Sequence, residues 1–220
     1  MQPKAMLKMA VDGVMTVLLL LLMAYELVGR AAHEWIGLIM FVLLIAHHIL
    51  NRGWLKNLRK GRYTPYRVLQ TALAGLVLLS MLGQMVSALL ISREVFAFLP
   101  FTGGAGFGRT LHMLAAYWGF IFLSLHLGLH WGGITGALGR RLKSSRFRKN
   151  GLRAAGILFA LYGVFAFFRR GIGEYLFLRT QFVFFNFDEP LFFFFVDYLA
   201  VMGLFVCLGF YLGKAARRAG

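Results

Sequence analysis

Long apolar runs separated by short polar segments dominate this chain. The runs lie at six places, Val11–Val28, Trp35–Leu50, Val68–Ile91, Thr110–Trp131, Leu152–Phe168 and Leu191–Leu212. Each is close to the roughly 20 residues that an α-helix needs to cross the hydrocarbon core of a bilayer. The pattern therefore predicts an all-α integral membrane protein with six transmembrane helices.

A seventh apolar segment, Tyr175–Phe187, is too short to cross a bilayer and contains Arg179. It belongs to an aromatic-rich tract, and aromatic side chains are enriched at the level of the lipid headgroups. We therefore expect this segment to lie along the membrane interface.

The positive charges alternate between the two sides of the predicted spans. Eighteen Lys and Arg lie in the two tails and in the loops after spans two and four, and six lie on the opposite side. Because cytoplasmic segments carry the excess of Lys and Arg, this split predicts a protein of the cell membrane with both termini in the cytoplasm. The basic loops 52–67 and 140–153 explain most of the net charge of +16 as contacts with anionic lipid, and we expect no nucleic-acid partner.

Composition narrows the chemistry further. Hydrophobic residues make up 60% of the chain, against about 45–50% in soluble domains. The single cysteine, Cys207, lies inside an apolar run. A lone cysteine excludes a disulfide framework, a cysteine-ligated iron–sulfur cluster and the C-x-x-C-H attachment of a covalent haem.

An internal repeat carries all six histidines, four of them at matching positions of its two copies. The segment Gly29–Gly53 aligns without gaps to Gly108–Gly132, at an offset of 79 residues. Both copies contain Gly-Arg-x-x-His, followed fourteen residues later by a second histidine. The four residues of this frame are His33 and His47 in the first copy and His112 and His126 in the second.

The spacing within each copy sets the depth of its histidines. Fourteen residues advance a helix by four turns less about 40° and by about 21 Å, so the two histidines share a stripe near opposite membrane faces. Because one span intervenes, spans two and four run parallel. The geometry pairs His33 with His112 at the outer, extracytoplasmic side and His47 with His126 at the inner, cytoplasmic side.

Two imidazoles on neighbouring helices, repeated at two depths, are suited to hold two b-type haems. Histidine within a bilayer is rare and usually functional, because burying an ionisable group in hydrocarbon is costly. Arg30 and Arg109 lie one turn before the outer histidines, where they can hold haem propionates by charge-assisted hydrogen bonds. Small residues near the stripe would leave room for the porphyrin, among them Gly37, Ala116 and Gly119.

This interpretation predicts two regions. Residues 1–133 form a four-helix cytochrome core that contains the repeat, and residues 134–220 form a basic cytoplasmic loop and two further transmembrane helices.

Two further histidines have open roles. His130 lies five full turns after His112 and one turn beyond His126, so it could replace His126 as the inner ligand, bind a propionate or help to bind a quinol. His48 lies about 60° around the helix from the outer histidine of its copy, and His47 about 40°, so spacing favours His47 only weakly. A purely structural role suits His48 and His130 as well as a functional one.

The sequence assigns no chemistry to the polar residues of the other spans. Ser80, Gln84 and Ser87 in span three are expected to bond across helices or to a haem edge. Asp12 and Glu26 fall at the two ends of the predicted first span, where side chains extend into the headgroups.

Other uses of intramembrane histidine compete with haem binding. One is hydrogen bonding between helices, and another is a histidine-based transition-metal transport site. Transport sites usually add carboxylates or thiols at the same depth, whereas here the acids cluster near the outer ends of the spans, as Glu26, Glu34, Glu94, Glu174 and Asp197.

Several motifs resemble those of the flavinylation-associated cytochromes, membrane proteins of bacteria and archaea found with covalently flavinylated extracellular proteins. The matching segments are HEWIG at His33, HHILNRGW at His47, the loop KNLRKGRYTPYR, RTLHMLAAYW at Arg109 and HLGLHW at His126. They cover residues 6–131, and the FDEP–DYL pattern before and within the last span is similar as well. The arrangement of histidines at two depths on two helices is also similar to that of cytochrome b subunits generally.

The resemblance implies a transmembrane cytochrome that passes electrons from a membrane quinol or a cytoplasmic donor to an extracytoplasmic FMN-bearing protein. That direction comes from the family alone, and a bound quinone is compatible with it. No threonine-bearing flavin-attachment sequence is seen in the chain, so the flavin would belong to the partner. The alternative functions are a quinol-oxidising or metal-reducing membrane reductase and a transition-metal transporter.

Overall fold

The computed structural model describes residues 3–99, 103–139 and 146–220, and all regular elements in these ranges are helical. The elements are α1 (Pro3–Met23), α2 (Tyr25–Val28), α3 (Arg30–Leu50), α4 (Arg52–Asn57), α5 (Pro65–Ile91), α6 (Ala105–Gly139), α7 (Arg146–Arg169), α8 (Ile172–Leu176) and α9 (Leu191–Arg218).

Six of the described helices, α1, α3, α5, α6, α7 and α9, are long and apolar enough to cross a membrane, with mean hydropathies from 1.4 to 2.4. The predicted all-α fold with six spans is therefore confirmed, and the chain is a multi-pass membrane protein. In a bilayer the backbone has no water to bond with, so each long apolar run satisfies its amide groups within one helix.

The first span differs from the prediction in its position. Helix α1 begins at Pro3 rather than at Val11 and ends at Met23, where the short helix α2 follows. Lys4 and Lys8 are good helix formers, so the helix extends past the apolar run that marked its predicted start. As a result Asp12 lies at the tenth of the 21 residues of α1, and the expectation that it marks a span end is wrong.

Gly29 forms the turn that starts α3. Its φ of 76° lies in the left-handed region, which glycine adopts without a steric penalty. Its carbonyl accepts a hydrogen bond from the amide of His33 at 3.0 Å. The turn therefore places His33 in the first turn of α3.

The chain divides into two compact units. Unit 1 consists of residues 1–62 and 83–112, and unit 2 of residues 63–82 and 113–220. Two of the three unit boundaries fall inside α5 and α6, and the third lies between α4 and α5. The predicted division of the chain into residues 1–133 and 134–220 stays a prediction.

Unit 2 is packed through small residues. A Cβ atom on Gly163 of α7 would strike the carbonyl oxygen of Ala200 of α9, and one on Gly128 of α6 would strike that of Val206. Small residues allow membrane helices to approach backbone to backbone, where dispersion contacts replace the missing hydrophobic drive. The contacts fix α6 and α7 against α9.

The aromatic tract expected at the interface begins in unit 2 as α8. Tyr175 stacks on Tyr117 of α6 with ring centroids 4.5 Å apart, and the indole of Trp118 donates to the carbonyl of Leu176 at 3.0 Å. The phenylalanines that follow are exposed, for example Phe184 at 84%. The tract is thus anchored at its start, and its location along the membrane interface stays a prediction.

An ion-pair cluster joins the end of α7 to α9 in unit 2. The Asp197 side chain is fully buried and accepts hydrogen bonds from the Arg170 Nε at 2.7 Å and from the Tyr162 hydroxyl at 2.5 Å. Glu189 accepts from Arg169 at 2.5 Å and pairs with Arg170 at 2.6 Å. Two guanidinium groups thereby balance two carboxylates.

Candidate haem-binding site

The outer histidine pair lies within unit 1. His33 is the fourth residue of α3 and His112 the eighth of α6. Their ring centroids are 5.8 Å apart, with the ring planes tilted by 59°. Two imidazoles that bind one metal ion between them hold their centroids roughly 6 Å apart, because each metal–nitrogen bond is about 2 Å long. The separation therefore suits a bis-histidine iron.

The tautomer of His112 is fixed by its neighbours on α5. Its Nδ1 lies 2.9 Å from the Ser87 hydroxyl, and that hydroxyl donates its own proton to the carbonyl of Gln84 at 2.8 Å. The hydroxyl therefore accepts the Nδ1–H of His112, and the Nε2 keeps its lone pair for a metal. The side-chain amide of Gln84 also donates to the His112 carbonyl at 2.9 Å.

The ring of His33 is less completely bonded. Among the described residues, its Nδ1 is buried without a hydrogen-bond partner. The ring packs edge-on against Tyr25, with centroids 5.1 Å apart. A buried polar atom without a partner destabilises a protein by about 1–3 kcal/mol, which a bound group can offset. This orphaned nitrogen is the second observation that fits a haem between the two rings.

Glu34 fastens the loop after α5 to α3, directly beside His33. Its carboxylate accepts hydrogen bonds of 2.5–3.0 Å from the Ser92 hydroxyl and from the backbone amides of residues 93, 94 and 95. Successive amides that converge on one anion form a nest. The end of α5, which carries Ser87, is thus held against the start of α3.

Arg30 and Arg109 are both exposed on unit 1, one turn before His33 and His112. Their position remains suited to haem propionates. The space expected beside Gly119 is filled, because a Cβ atom there would lie 3.2 Å from the Cβ of Ser80. Gly119 therefore serves helix packing rather than porphyrin room, and that expectation is wrong.

His47 is held by a carboxylate. Its Nδ1 lies 2.7 Å from Oδ1 of Asp12 on α1. Asn51 approaches the Nε2 at 3.5 Å and donates to the His47 carbonyl at 2.9 Å. Lys8 in turn donates to the Asn51 side-chain oxygen at 2.9 Å. A polar ladder thus connects α1 to the C-terminal end of α3 within unit 1.

His48 is bonded to its own helix, because its Nδ1 donates to the carbonyl of Leu44 at 2.9 Å. His126 and His130 are described in unit 2, one turn apart on α6 with ring centroids 4.8 Å apart. His126 is half-buried and His130 is exposed. The pairing of His47 with His126 stays a prediction from the repeat.

Replacing Ser87 by alanine is expected to weaken retention of the outer haem by about 10–100-fold, the usual effect of losing the group that orients a metal ligand. The measurement is transfer of haem to an excess of apomyoglobin, followed at the Soret band. Ser80→Ala is the matched control, since Ser80 also lies on α5 but donates to the Leu76 carbonyl of its own helix. Equal haem transfer from the two variants would contradict the role given to Ser87.

The sequence signalled six histidines, two arginines and bonds across helices from Gln84 and Ser87, which the structure shows. The same expectation for Ser80 is wrong, because its hydroxyl bonds within α5. The contacts of Glu34 and Asp12 were missed. In the described part of the chain, no three or more His, Cys, Asp or Glu side chains form a group that could hold a bare metal ion.

Comparison of the chain with protein-family models, with curated proteins and with solved structures gives no match in any of the three.

Proposed function

We propose that this protein is a transmembrane cytochrome b that holds two haems, each between two histidines, and carries electrons across the cell membrane. The observation that carries the proposal is the outer pair, in which the rings of His33 and His112 lie 5.8 Å apart. A haem brings four nitrogen ligands of its own and needs only two imidazoles, whereas a structural or catalytic zinc ion takes three or four protein ligands. When bound, the haem supplies a one-electron iron couple.

The residues around the pair support this use. Ser87 keeps the Nε2 of His112 available for a metal, and His33 has a buried ring nitrogen that no described residue satisfies. Arg30 and Arg109 are exposed where propionates would extend. His33 and His112 would thus hold one haem, with Ser87 to orient His112 and the two arginines to balance the propionate charges.

The second haem rests on the repeat. In both copies a second histidine follows the outer one by fourteen residues, as His47 and His126. Asp12 holds the Nδ1 of His47 in the same way that Ser87 holds that of His112, which supports His47 as a ligand. His130 remains an alternative to His126, as does a role for it in binding a quinol.

The partners follow from the resemblance to the flavinylation-associated cytochromes. We assign the electrons to a membrane quinol or a cytoplasmic donor and their acceptor to an extracytoplasmic protein that carries FMN. With both termini cytoplasmic, the loop 92–108 and the tract 169–190 would lie at the outer side, as the outer pair would. In the tract, Glu189 is bonded to Arg169 and Arg170, and Glu174 lies 3.7 Å from Arg179. This mixed charge pattern can steer a transient partner.

Purified protein is expected to contain about two b-type haems per chain, because the repeat supplies two imidazole pairs. Acid–acetone should extract both, since the lone cysteine cannot form the two thioether bonds of a C-x-x-C-H attachment. The measurement is a pyridine haemochrome assay with a reduced-minus-oxidised spectrum. Membrane-integrated protein without Soret absorption would refute the proposal and favour a metal transporter. Oxidation of a quinol by the purified protein alone would favour the reductase alternative.

A further inference from the structure

Two of the proposed haem ligands, His112 and His47, have a ring nitrogen bonded to a side chain of another helix. These two side chains differ in charge. The Nδ1 of His112 is bonded to the neutral hydroxyl of Ser87 at 2.9 Å, and the Nδ1 of His47 to the carboxylate of Asp12 at 2.7 Å. We propose that Asp12 is a positioning residue that selects His47 as the inner ligand and lowers the reduction potential of the haem bound there below that of the outer haem. The inference rests on the proposed function and goes beyond it.

The geometry around His47 leaves one nitrogen for a ligand. Because Asp12 binds the Nδ1, the ring is the Nδ1–H tautomer and its Nε2 is the only metal-binding atom. The contact of Asn51 with that Nε2 is long, at 3.5 Å, and the same amide nitrogen has a second acceptor in the His47 carbonyl at 2.9 Å. A metal can therefore take the Nε2 without leaving the amide of Asn51 unbonded.

The position of Asp12 is itself fixed. Asp12 lies in the middle of α1. The hydroxyl of Thr16, one turn later, donates to the backbone carbonyl of Asp12 at 2.8 Å. One turn earlier on α1, Lys8 donates to Asn51 on α3 at 2.9 Å. Two polar contacts, one turn apart on both helices, hold α1 and α3 in one register. The ring of His47 is consequently held in one orientation before any haem binds.

Asp12 also resolves the choice between two adjacent histidines that spacing left nearly even. His48 bonds through its Nδ1 to the Leu44 carbonyl of its own helix, a neutral acceptor. A carboxylate on the Nδ1 raises the basicity of the Nε2 and fixes the ring plane, which makes the carboxylate–histidine pair a better metal ligand than an imidazole bonded to a carbonyl. His47 is therefore the ligand, and His48 bonds to the backbone of its own helix.

The same contact tunes the potential. A negative charge against the far side of an axial imidazole increases its donation to iron and stabilises the oxidised, more positive state. Ser87 provides no such charge at His112, and the Glu34 carboxylate beside His33 bonds to the Ser92 hydroxyl and the amides of residues 93–95 rather than to an imidazole. Electrostatic interactions of this kind are strong where membrane and protein exclude water. Asp12 and Ser87 together thus give the chain a potential that rises from the cytoplasmic to the outer side, which favours outward transfer of one electron at a time.

The test is a redox titration, followed at the haem α-band, of an Asp12→Asn variant in a His112→Ala background, where only the inner haem should remain. Asparagine keeps the shape and the acceptor oxygen of aspartate but removes the charge. The reduction equilibrium should shift at least tenfold towards the reduced state, which is about 59 mV for one electron. Haem content should be unchanged. Asp12→Glu should retain the low potential.

Two further variants separate position from charge. Asp12→Ala should lose part of the inner haem and alter the ferric low-spin electron paramagnetic resonance signal, because the ring of His47 is no longer oriented. Asp188→Asn removes one carboxylate from an exposed loop and should leave the potential unchanged. An unchanged potential in Asp12→Asn, or an equal shift in Asp188→Asn, would overturn the inference while the haem content still supports the proposed function. Absence of haem from the parent protein would instead refute the proposed function itself.

Discussion

Alanine in place of either His33 or His112 is expected to remove the same haem and to leave the other in place. The two rings lie 5.8 Å apart within one unit, and under the proposed function both would bind the same haem. Each single variant should fall from about two haems per chain to about one, as the repeat supplies two imidazole pairs. The double variant should lose no more than either single one. The measurement is the haem-to-protein ratio of the purified variants, with the reduced spectrum resolved into its components.

His48→Ala is the matched control for this pair of variants. It removes an imidazole from the same helix as His33, but one that bonds to the Leu44 carbonyl, so both haems should remain. If His33→Ala and His112→Ala removed different haems, the double variant would lose both. The outer pair would then be an accident of packing.

Alanine in place of Asp197 is expected to lower the free energy of unfolding by about 3–5 kcal/mol, the effect of breaking a buried ion pair from one side. The Asp197 side chain is fully buried and neighbours two guanidinium groups, at 2.7 Å from Arg170 and 3.4 Å from Arg169. Burial lowers the pKa of Arg170, but hydrogen bonds with Glu189 and Asp197 outweigh this and raise its pKa. A guanidinium stays charged in proteins even without its partner, so removal of Asp197 leaves the charge of Arg170 poorly compensated.

Unfolding in a mild detergent with added denaturant measures this change. Asp188→Ala is the control, because Asp188 is an acid that lies shortly before α9 but is exposed, and surface substitutions usually change stability by less than about 0.5 kcal/mol. A joint substitution of Asp197 and Arg170 by apolar residues should recover part of the loss, since it removes both buried charges. Similar stability of the Asp197→Ala and Asp188→Ala variants would show that the cluster is well hydrated and contributes little.

The contacts that the sequence did not specify share one property, which is that they join residues of different helices. Ser87 lies on α5 and bonds to His112 on α6, and Asp12 lies on α1 and bonds to His47 on α3. Spacing along a helix specifies which residues share a face of that helix, but not which residue of another helix lies opposite. The position of Asp12 in the middle of α1 was not apparent from the sequence, because the apolar pattern began at Val11 while the helix begins at Pro3.

The two glycines of the repeat show the same limit. Gly29 and Gly108 occupy the same place in the Gly-Arg-x-x-His frame. Gly29 adopts a φ of 76° and starts a helix, whereas Gly108 lies inside α6, where a Cβ atom would come within 2.7 Å of Ile91. The same residue type therefore forms a turn in one copy and allows a close helix crossing in the other.

The sequence by itself determined the helical class, the six spans and the four histidines of the repeat. These are local properties, because the bilayer forces each apolar run to satisfy its own backbone and the helical period aligns residues fourteen apart. Only the tertiary structure decided that the rings of His33 and His112 approach to 5.8 Å, that Ser87 and Asp12 bond to His112 and His47, and that Gly119 packs on Ser80. The physical reason is that the register between helices follows from the fit of side chains across their surfaces, which depends on every residue at the contact and has no period that one segment alone could display.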